Sequence, residues 1–296
     1  MHGDEIEVYI DGRWARGDDA RVSVFDRGFL YGDSVFETLR TYGGRAFALD
    51  EHMTRLADSA RRVLIELPLE PGVLGEEVRQ QLAETRQRRG YADCYVRTMV
   101  TRGRGALGLD PQNASEPLRV ALIGPLQPPP EALYRDGIAV VSYAGARHTD
   151  ASAAAGAKIG NYLVAVLAQD RARKAGAHEA LIVDSEGGVI EGATSNLFWW
   201  DGEVLCTPPL EAGILAGITR AHLLGLARTE GREIRLAVPT LDELLRASEV
   251  FVSSSIRELL PVVRIDGRVV GTGVPGARTQ ALHASFRRHA LAAVGA

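Results

Sequence analysis

Ala154-Ala155-Gly156-Ala157-Lys158-Ile159-Gly160-Asn161-Tyr162-Leu163 holds one of only two lysines in a chain of 296 residues. The other is Lys174, and 32 arginines (34 Lys plus Arg, less two) meet every other need for a basic side chain. A guanidinium stays charged at any working pH, whereas an amine can lose its proton and attack a carbonyl to form an imine. Lys158, kept among small residues, is therefore a candidate nucleophile. Lys174, in Arg171-Ala172-Arg173-Lys174-Ala175-Gly176, suits the basic last turn of a helix and needs no chemical role. Biased coding alone could also deplete lysine, so the surroundings of Lys158 have to decide.

Working outward, Tyr162–Lys174 reads as a helix, and Ile138–Tyr143 on the other side as a strand, with an Ala/Gly-rich stretch leading from it to Lys158. Further on come strands at Glu179–Val183, Val189–Glu191 and Asn196–Trp200, then a helix at Ile218–Arg228 and a short one at Leu241–Arg246. Strands at Glu249–Ser253 and Pro261–Ile265 precede a C-terminal helix. Upstream, Asp11-Gly12 and Gly43-Gly44 mark hairpins between Glu5–Ile10 and Arg13–Ala15, and between Val35–Tyr42 and Arg45–Leu49. Asp50 is placed to cap a helix with apolar positions Met53, Leu56, Ala57, Ala60, Val63 and Leu64. A second helix over Leu74–Arg89 should stop at Gly90, followed by strands at Asp93–Thr101 and Leu118–Gly124. Pro125-Leu126-Gln127-Pro128-Pro129-Pro130 can continue neither ladder nor helix. The reading is an α+β chain with a smaller N-terminal domain (1–124), a Pro-rich linker (125–131) and a larger C-terminal domain (132–296).

Composition excludes several classes. A net charge of −4 gives no signature for nucleic acid. Cys94 and Cys206 each lie in an apolar strand-like run and read as reduced core residues, and the seven histidines show no metal-ligand spacing. With no run of transmembrane length and no signal peptide, the expectation is a soluble cytoplasmic protein without metal or membrane.

An imine at Lys158 implies an aldehyde cofactor, of which pyridoxal phosphate is the common case. Such a cofactor needs phosphate donors, an acid for the pyridine nitrogen and a donor for the phenolic oxygen, and its substrate needs a carboxylate pocket. Leu215-Ala216-Gly217-Ile218-Thr219-Arg220 opens a helix whose N-terminus favours a dianion, although an ordinary cap explains it equally. Arg55 could hold phosphate bidentately, or be a solvated helix arginine. Glu191, before Gly192, could protonate a pyridine nitrogen, or simply end a strand in water.

Seven stretches, in order, decide among these. They are Asp26-Arg27-Gly28 with Tyr31-Gly32-Asp33-Ser34-Val35-Phe36-Glu37; His52-Met53-Thr54-Arg55-Leu56; Lys158 with Asn161-Tyr162-Leu163; Glu191-Gly192-Ala193-Thr194-Ser195-Asn196; Thr207-Pro208-Pro209; Gly217-Ile218-Thr219-Arg220; and Glu249-Val250-Phe251. Together they resemble the class IV aminotransferases, the fold-type IV group of pyridoxal phosphate enzymes. That group includes branched-chain and D-amino acid aminotransferases and aminodeoxychorismate lyases. The resemblance implies that Lys158 bears the cofactor and shuttles the substrate proton. It implies that Arg55, Gly217, Ile218, Thr219 and Ser255 hold the phosphate, Glu191 meets the pyridine nitrogen, and Tyr162 approaches the phenolic oxygen. It further implies a homodimer, and a substrate pocket from Tyr31, Phe36, Arg40, Tyr95, Arg97 and the turn Ser255-Ile256. Val100-Thr101-Arg102-Gly103 and Ser253-Ser254-Ser255-Ile256-Arg257-Glu258 lean toward the D-amino acid and lyase branch. Strand alternation sets Arg97 on the face opposite Arg102 and Arg104, so only one set can face the pocket.

The implied activity is transamination between an amino acid, L-branched-chain or D, and an α-keto acid by a ping-pong mechanism. Aminodeoxychorismate lyase, and a non-catalytic cofactor-binding protein, are the alternatives. Gly103-Arg104-Gly105-Ala106-Leu107-Gly108 fits a dinucleotide fingerprint, but Pro111 and Pro117 bar the helix that the fingerprint needs. It is expected instead to be a mobile glycine-rich loop over the active site.

Overall fold

A computed structural model describes residues 3–145 and 154–296; the part of the Ala/Gly-rich stretch at 146–153 lies outside the described residues. The chain divides into two compact units. The first comprises Met1–Gln127, Ala157–Asn161 and Ala290–Ala296, and the second comprises Pro128–Gly156 and Tyr162–His289. The Lys158 segment is thus a detached piece of the first unit.

In the first unit, β1 (Glu7–Ile10), β2 (Arg13–Ala15), α1 (Arg27–Tyr31), β3 (Ser34–Tyr42), β4 (Arg45–Ala46), α2 (Leu49–Arg62), α3 (Pro71–Arg89), β5 (Cys94–Gly105) and β6 (Ala114–Pro125) follow in order. Among the described residues the strands form a six-stranded antiparallel sheet in the order β2-β1-β6-β5-β3-β4. Helices α2 and α3 supply Met53, Leu56, Ala60, Leu74, Val78 and Leu82 to a core completed by Val35, Leu39, Val96 and Val100. Each such Leu or Val, fully buried, contributes about 1.5–3 kcal/mol. The core face of β3 and β5 is therefore fixed, and Phe36, Arg40, Tyr95 and Arg97 fall on the opposite face.

Three expectations need correction here. Helix α2 is capped by Ala48, at φ +53°, and Asp50 lies inside its first turn. Leu49 is buried in the core, which draws the helix start ahead of Asp50 and limits the preceding strand to Arg45–Ala46. Helix α3 begins at Pro71, because proline suits the first helical position, and ends with Gly90 at φ +68°. The β5–β6 hairpin runs on to Gly105 and Ala114 through irregularities between Thr101 and Gly105. The glycines of the apparent fingerprint therefore belong to a bulged hairpin, followed by a single 3-10 turn at Pro111–Asn113.

The second unit holds α4 (Glu131–Asp136), β7 (Ile138–Ala144), α5 (Leu163–Lys174), β8 (Glu179–Val183), β9 (Val189–Gly192), β10 (Asn196–Asp201) and β11 (Val204–Thr207). Next come α6 (Ile218–Thr229), β12 (Ile234–Leu236), α7 (Leu241–Arg246), β13 (Glu249–Ser254), β14 (Glu258–Ile265), β15 (Arg268–Val269) and α8 (Ala277–Val294). Among the described residues, nine strands pair in the order β12-β11-β10-β13-β14-β7-β8-β9, with β15 on β14. The β14–β7, β7–β8 and β11–β12 pairs are parallel and the rest antiparallel, which gives a mixed α+β chain. Leu181, Leu197, Val250, Val252, Leu260 and Val262 anchor one core of this sheet. Cys94 and Cys206 are free and buried, one in each unit.

Candidate active site

In the first unit, Ile159 bridges Val35 antiparallel, so the Lys158 segment lies along the edge of β3 that, among the described residues, no strand covers at its start. The Lys158 N–H donates to Ser59 Oγ (3.0 Å) and its carbonyl accepts the Phe36 N–H (3.1 Å). With the backbone held from α2 and from β3, the side chain reaches the Phe36 ring, its Nζ 4.5 Å from the centroid. The Arg97 guanidinium lies 4.0 Å from the same centroid. Arg97 is registered opposite Thr38, and Tyr95 opposite Arg40, so these residues share the Phe36 face.

The competing arginines have other partners. Arg102 forms a fork with Asp33 (2.7 and 2.9 Å) and donates to the carbonyls of Val63 and Leu64. Exposed Arg104 pairs with Glu116. Of the two strand sets, Arg97 is the one that shares the Phe36 ring with Lys158. Tyr31 sits apart from these residues in its contacts. Its hydroxyl accepts the Gly108 N–H (3.2 Å), and Arg27 lies 5.1 Å from its ring. Arg27 also donates to the carbonyls of Gly108, Leu109 and Asp110, tying α1 to the tip of the β5–β6 hairpin.

Arg55 projects from α2 onto buried Glu37, with Nε–Oε1 and Nη2–Oε2 both 2.7 Å, and His52 Nδ1 lies 2.7 Å from Oε2. Burial pushes the Glu37 pKa up, but the charge and hydrogen bonds of Arg55, aided by His52, outweigh it and hold the group down at about 2. Burial lowers the pKa of His52, so its ring is neutral at neutral pH and donates Nδ1–H to the carboxylate. Arg55 is thereby fixed in orientation by an ionised partner.

In the second unit, Glu191 lies on β9, 2% exposed, and accepts the Leu215 N–H at Oε2 (3.3 Å). Asn196 donates to the Leu215 carbonyl (2.9 Å). Gly217 is the N-cap of α6, with no side-chain cap, and a Cβ there would lie 1.9 Å from Asn196 Oδ1. Only glycine lets the start of α6 approach Asn196 so closely. This helix end, presenting Ile218 and Thr219 with Glu191 joined to it through Leu215, is a cradle that fits an anionic cofactor with a ring nitrogen to protonate. Arg220 donates to the Pro208 carbonyl (2.8 Å) and to Thr207, which ties the Thr-Pro-Pro stretch to the same helix. Tyr162 is the half-buried N-cap of α5. Ser255 and Ile256 occupy the turn between β13 and β14.

Two residues escaped the sequence reading. Glu179, fully buried, accepts from Arg257 Nη1 (2.8 Å) and Nη2 (3.2 Å), from Thr194 N (2.9 Å) and Oγ1 (3.0 Å), and from Ser195 Oγ (2.9 Å). Burial raises its pKa, yet the Arg257 charge and these bonds hold it below the ordinary carboxylate value. A Cβ at Gly192 would lie 2.2 Å from Ser195 Oγ and 3.1 Å from Glu179 Cδ, so the glycine after Glu191 makes room for this cluster. The crowding around Gly192 was the only hint, and a lone glycine does not name its neighbour.

Comparisons with known proteins identify the family. The model of the amino-transferase class IV family matches residues 34–265. A Methanocaldococcus jannaschii protein carrying the provisional name branched-chain-amino-acid aminotransferase is 39% identical, over 95% of this chain and 96% of its own. D-alanine aminotransferase of Bacillus licheniformis is 32% identical (97% and 98%), and aminodeoxychorismate lyase of Bacillus subtilis 31% (95% and 94%). Among solved structures, the T.th. branched-chain amino acid aminotransferase with pyridoxamine 5'-phosphate superposes with a TM-score of 0.88 at 31% identity, covering 98% of this chain and 94% of that one. The chain belongs to the class IV aminotransferase family, and its fold is the fold-type IV arrangement of that family. It is an enzyme of that class.

Among the described residues no helix is long and apolar enough to cross a membrane, and no group of three or more His, Cys, Asp or Glu side chains is arranged to hold a metal ion.

Proposed function

We propose that this enzyme is a pyridoxal 5'-phosphate-dependent transaminase that moves an amino group between a branched-chain L-amino acid and an α-keto acid in two ping-pong half-reactions. The observation that carries the reading is Lys158, held at both backbone groups, with its amine and the Arg97 guanidinium against one Phe36 ring. The branched-chain names among relatives and solved structures favour that donor over a D-amino acid.

When bound, pyridoxal 5'-phosphate supplies an electron sink for the pair left on the substrate Cα. Lys158 would hold its aldehyde, and the same amine, once displaced by substrate, would carry the proton from Cα. Arg55, Ile218, Thr219 and Ser255 would take the phosphate, with Gly217 keeping the helix end open. Glu191 would meet the pyridine nitrogen and Tyr162 the phenolic oxygen. Phe36, Tyr95 and Tyr31 would bound the substrate side chain. Arg40 and Arg97 would attract a second carboxylate on an acidic substrate, and the amides of Ser255 and Ile256 would take the α-carboxylate.

We read residues 1–124 and 132–296 as the two domains and 125–131 as their linker; the break between compact units at Gln127 supports the linker, while Ala157–Asn161 and Ala290–Ala296 group with the first unit. A cytoplasmic homodimer completes the reading. Its support is the apolar exposure of Val24, Phe25 and Phe29 (62%, 55% and 71%) and of Leu107 and Leu109 (68% and 78%).

The test is the visible absorption of cofactor-loaded protein, with L-leucine, L-glutamate and D-alanine added separately. Bleaching by the two L-amino acids and recovery with an α-keto acid is the expected result. Bleaching by D-alanine alone moves the donor to the D series. A band that none of them bleaches favours the lyase, which one relative represents.

A further inference from the structure

Arg257, the last residue of the Ser255–Arg257 turn, is tied to the second unit's own framework. The Arg257 guanidinium forks onto Glu179 (2.8 and 3.2 Å) and also donates to the Thr194 carbonyl (3.1 Å) and Ser254 Oγ (3.2 Å). The Arg257 carbonyl accepts the Tyr134 hydroxyl (3.1 Å), and that ring stacks on His283 with centroids 5.1 Å apart. The next residue, Glu258, adopts φ +56°, the left-handed region that favours glycine. Its buried carboxylate is held by His283 Nε2 and Arg287 Nε, both at 2.6 Å. A strained residue persists where its surroundings over-determine it, and such sites cluster where geometry matters to function.

Fold stability alone is a poor reason to pair a fully buried Glu with a half-buried Arg. The pair's desolvation cost roughly cancels its attraction, and well-packed apolar side chains commonly serve as well. What the pair does that apolar groups cannot is set a fixed spacing between two turns. Glu179 grips Thr194 and Ser195, three and four residues after Glu191, while Arg257 is the last residue of the Ser255–Arg257 turn. We propose that Glu179 and Arg257 form a brace that pre-sets the Ser255-Ile256 amides for the substrate α-carboxylate, making Arg257 a positioning residue for substrate affinity. The proposal rests on the functional reading above, which assigns those amides to the carboxylate.

Pre-organised amides bind without an ordering cost, so loosening the turn weakens substrate binding more than the chemical step. The test uses cofactor-loaded wild type and Arg257→Lys, which keeps the charge but loses the fork. Calorimetric titration with 4-methylvaleric acid reads carboxylate binding without turnover. The variant should bind this acid about tenfold more weakly, with cofactor affinity and urea midpoint nearly unchanged. In the L-leucine half-reaction its half-saturating concentration should rise about tenfold while the maximal rate stays within about threefold. Unchanged affinity for the acid and for L-leucine overturns the brace. So does a lower maximal rate at unchanged half-saturation, which would place the effect on the cofactor side. Wild type that neither binds the acid nor is bleached by any amino acid overturns the functional reading, and the brace with it. If Arg257→Lys does not fold, Arg257→Gln, which retains one donor for Glu179, takes the same measurements.

Discussion

Lysine and arginine carry the same charge at neutral pH, and this chain separates their uses. Among the described residues arginines make forks and stacks, as Arg55 does on Glu37 and Arg97 on Phe36, while Lys158 is the residue proposed to pass a proton back and forth. Lys158→Arg is therefore expected to lose turnover as completely as Lys158→Ala, measured as single-turnover conversion of L-leucine; activity in the arginine variant would remove Lys158 from the chemistry. Glu37→Gln should weaken cofactor binding about tenfold, because Arg55 loses the ionised partner that aims it. Equal cofactor affinity in that variant would mean that Arg55 needs no such aim. Lys158 was legible because lysine is rare here. Arg257 was not, since one arginine among 32 announces nothing and its partner Glu179 lies 78 positions away.

Elements were legible where their ends carry chemistry. Helix α7 was read at Leu241–Arg246, and Thr240 with Glu243 forms a capping box there. Gly90 likewise marks the end of α3. The five-residue α1 is too short for periodicity to reveal, although Asp26 caps it and Gly32 closes it. The β5–β6 hairpin was read short because its irregularities and glycines resemble a loop. At α6 the decisive feature is the glycine N-cap. Gly217→Ala is expected to push the helix start away from Asn196 and weaken cofactor binding by about tenfold or more, with a smaller loss of folding stability. Cofactor titration beside urea unfolding separates the two effects; a stability loss with undiminished cofactor affinity would contradict the cradle.

Across the whole molecule, buried carboxylates set the response to acid. Glu37 titrates at about 2 in the folded chain against an ordinary 4.5, a difference worth on the order of 3 kcal/mol. A depressed carboxylate stabilises the fold fully above its ordinary pKa, and the contribution is lost as pH falls toward the folded value. Glu179, Asp33 and Glu7 are shifted in the same direction. His52, lowered from 6.5, also favours the unfolded chain on acidification, from that pH downward. The urea midpoint should therefore fall from about pH 6.5 and most steeply below about 4.5, and Glu37→Gln should flatten the steep part. A midpoint that rises on acidification would contradict this balance. Whether Lys158 bears the cofactor is decided by borohydride reduction of the protein loaded with pyridoxal 5'-phosphate, followed by peptide mass mapping. The phosphopyridoxyl group is predicted on the peptide carrying Lys158, with Lys174 unlabelled; a label on Lys174, or on neither lysine, would contradict it.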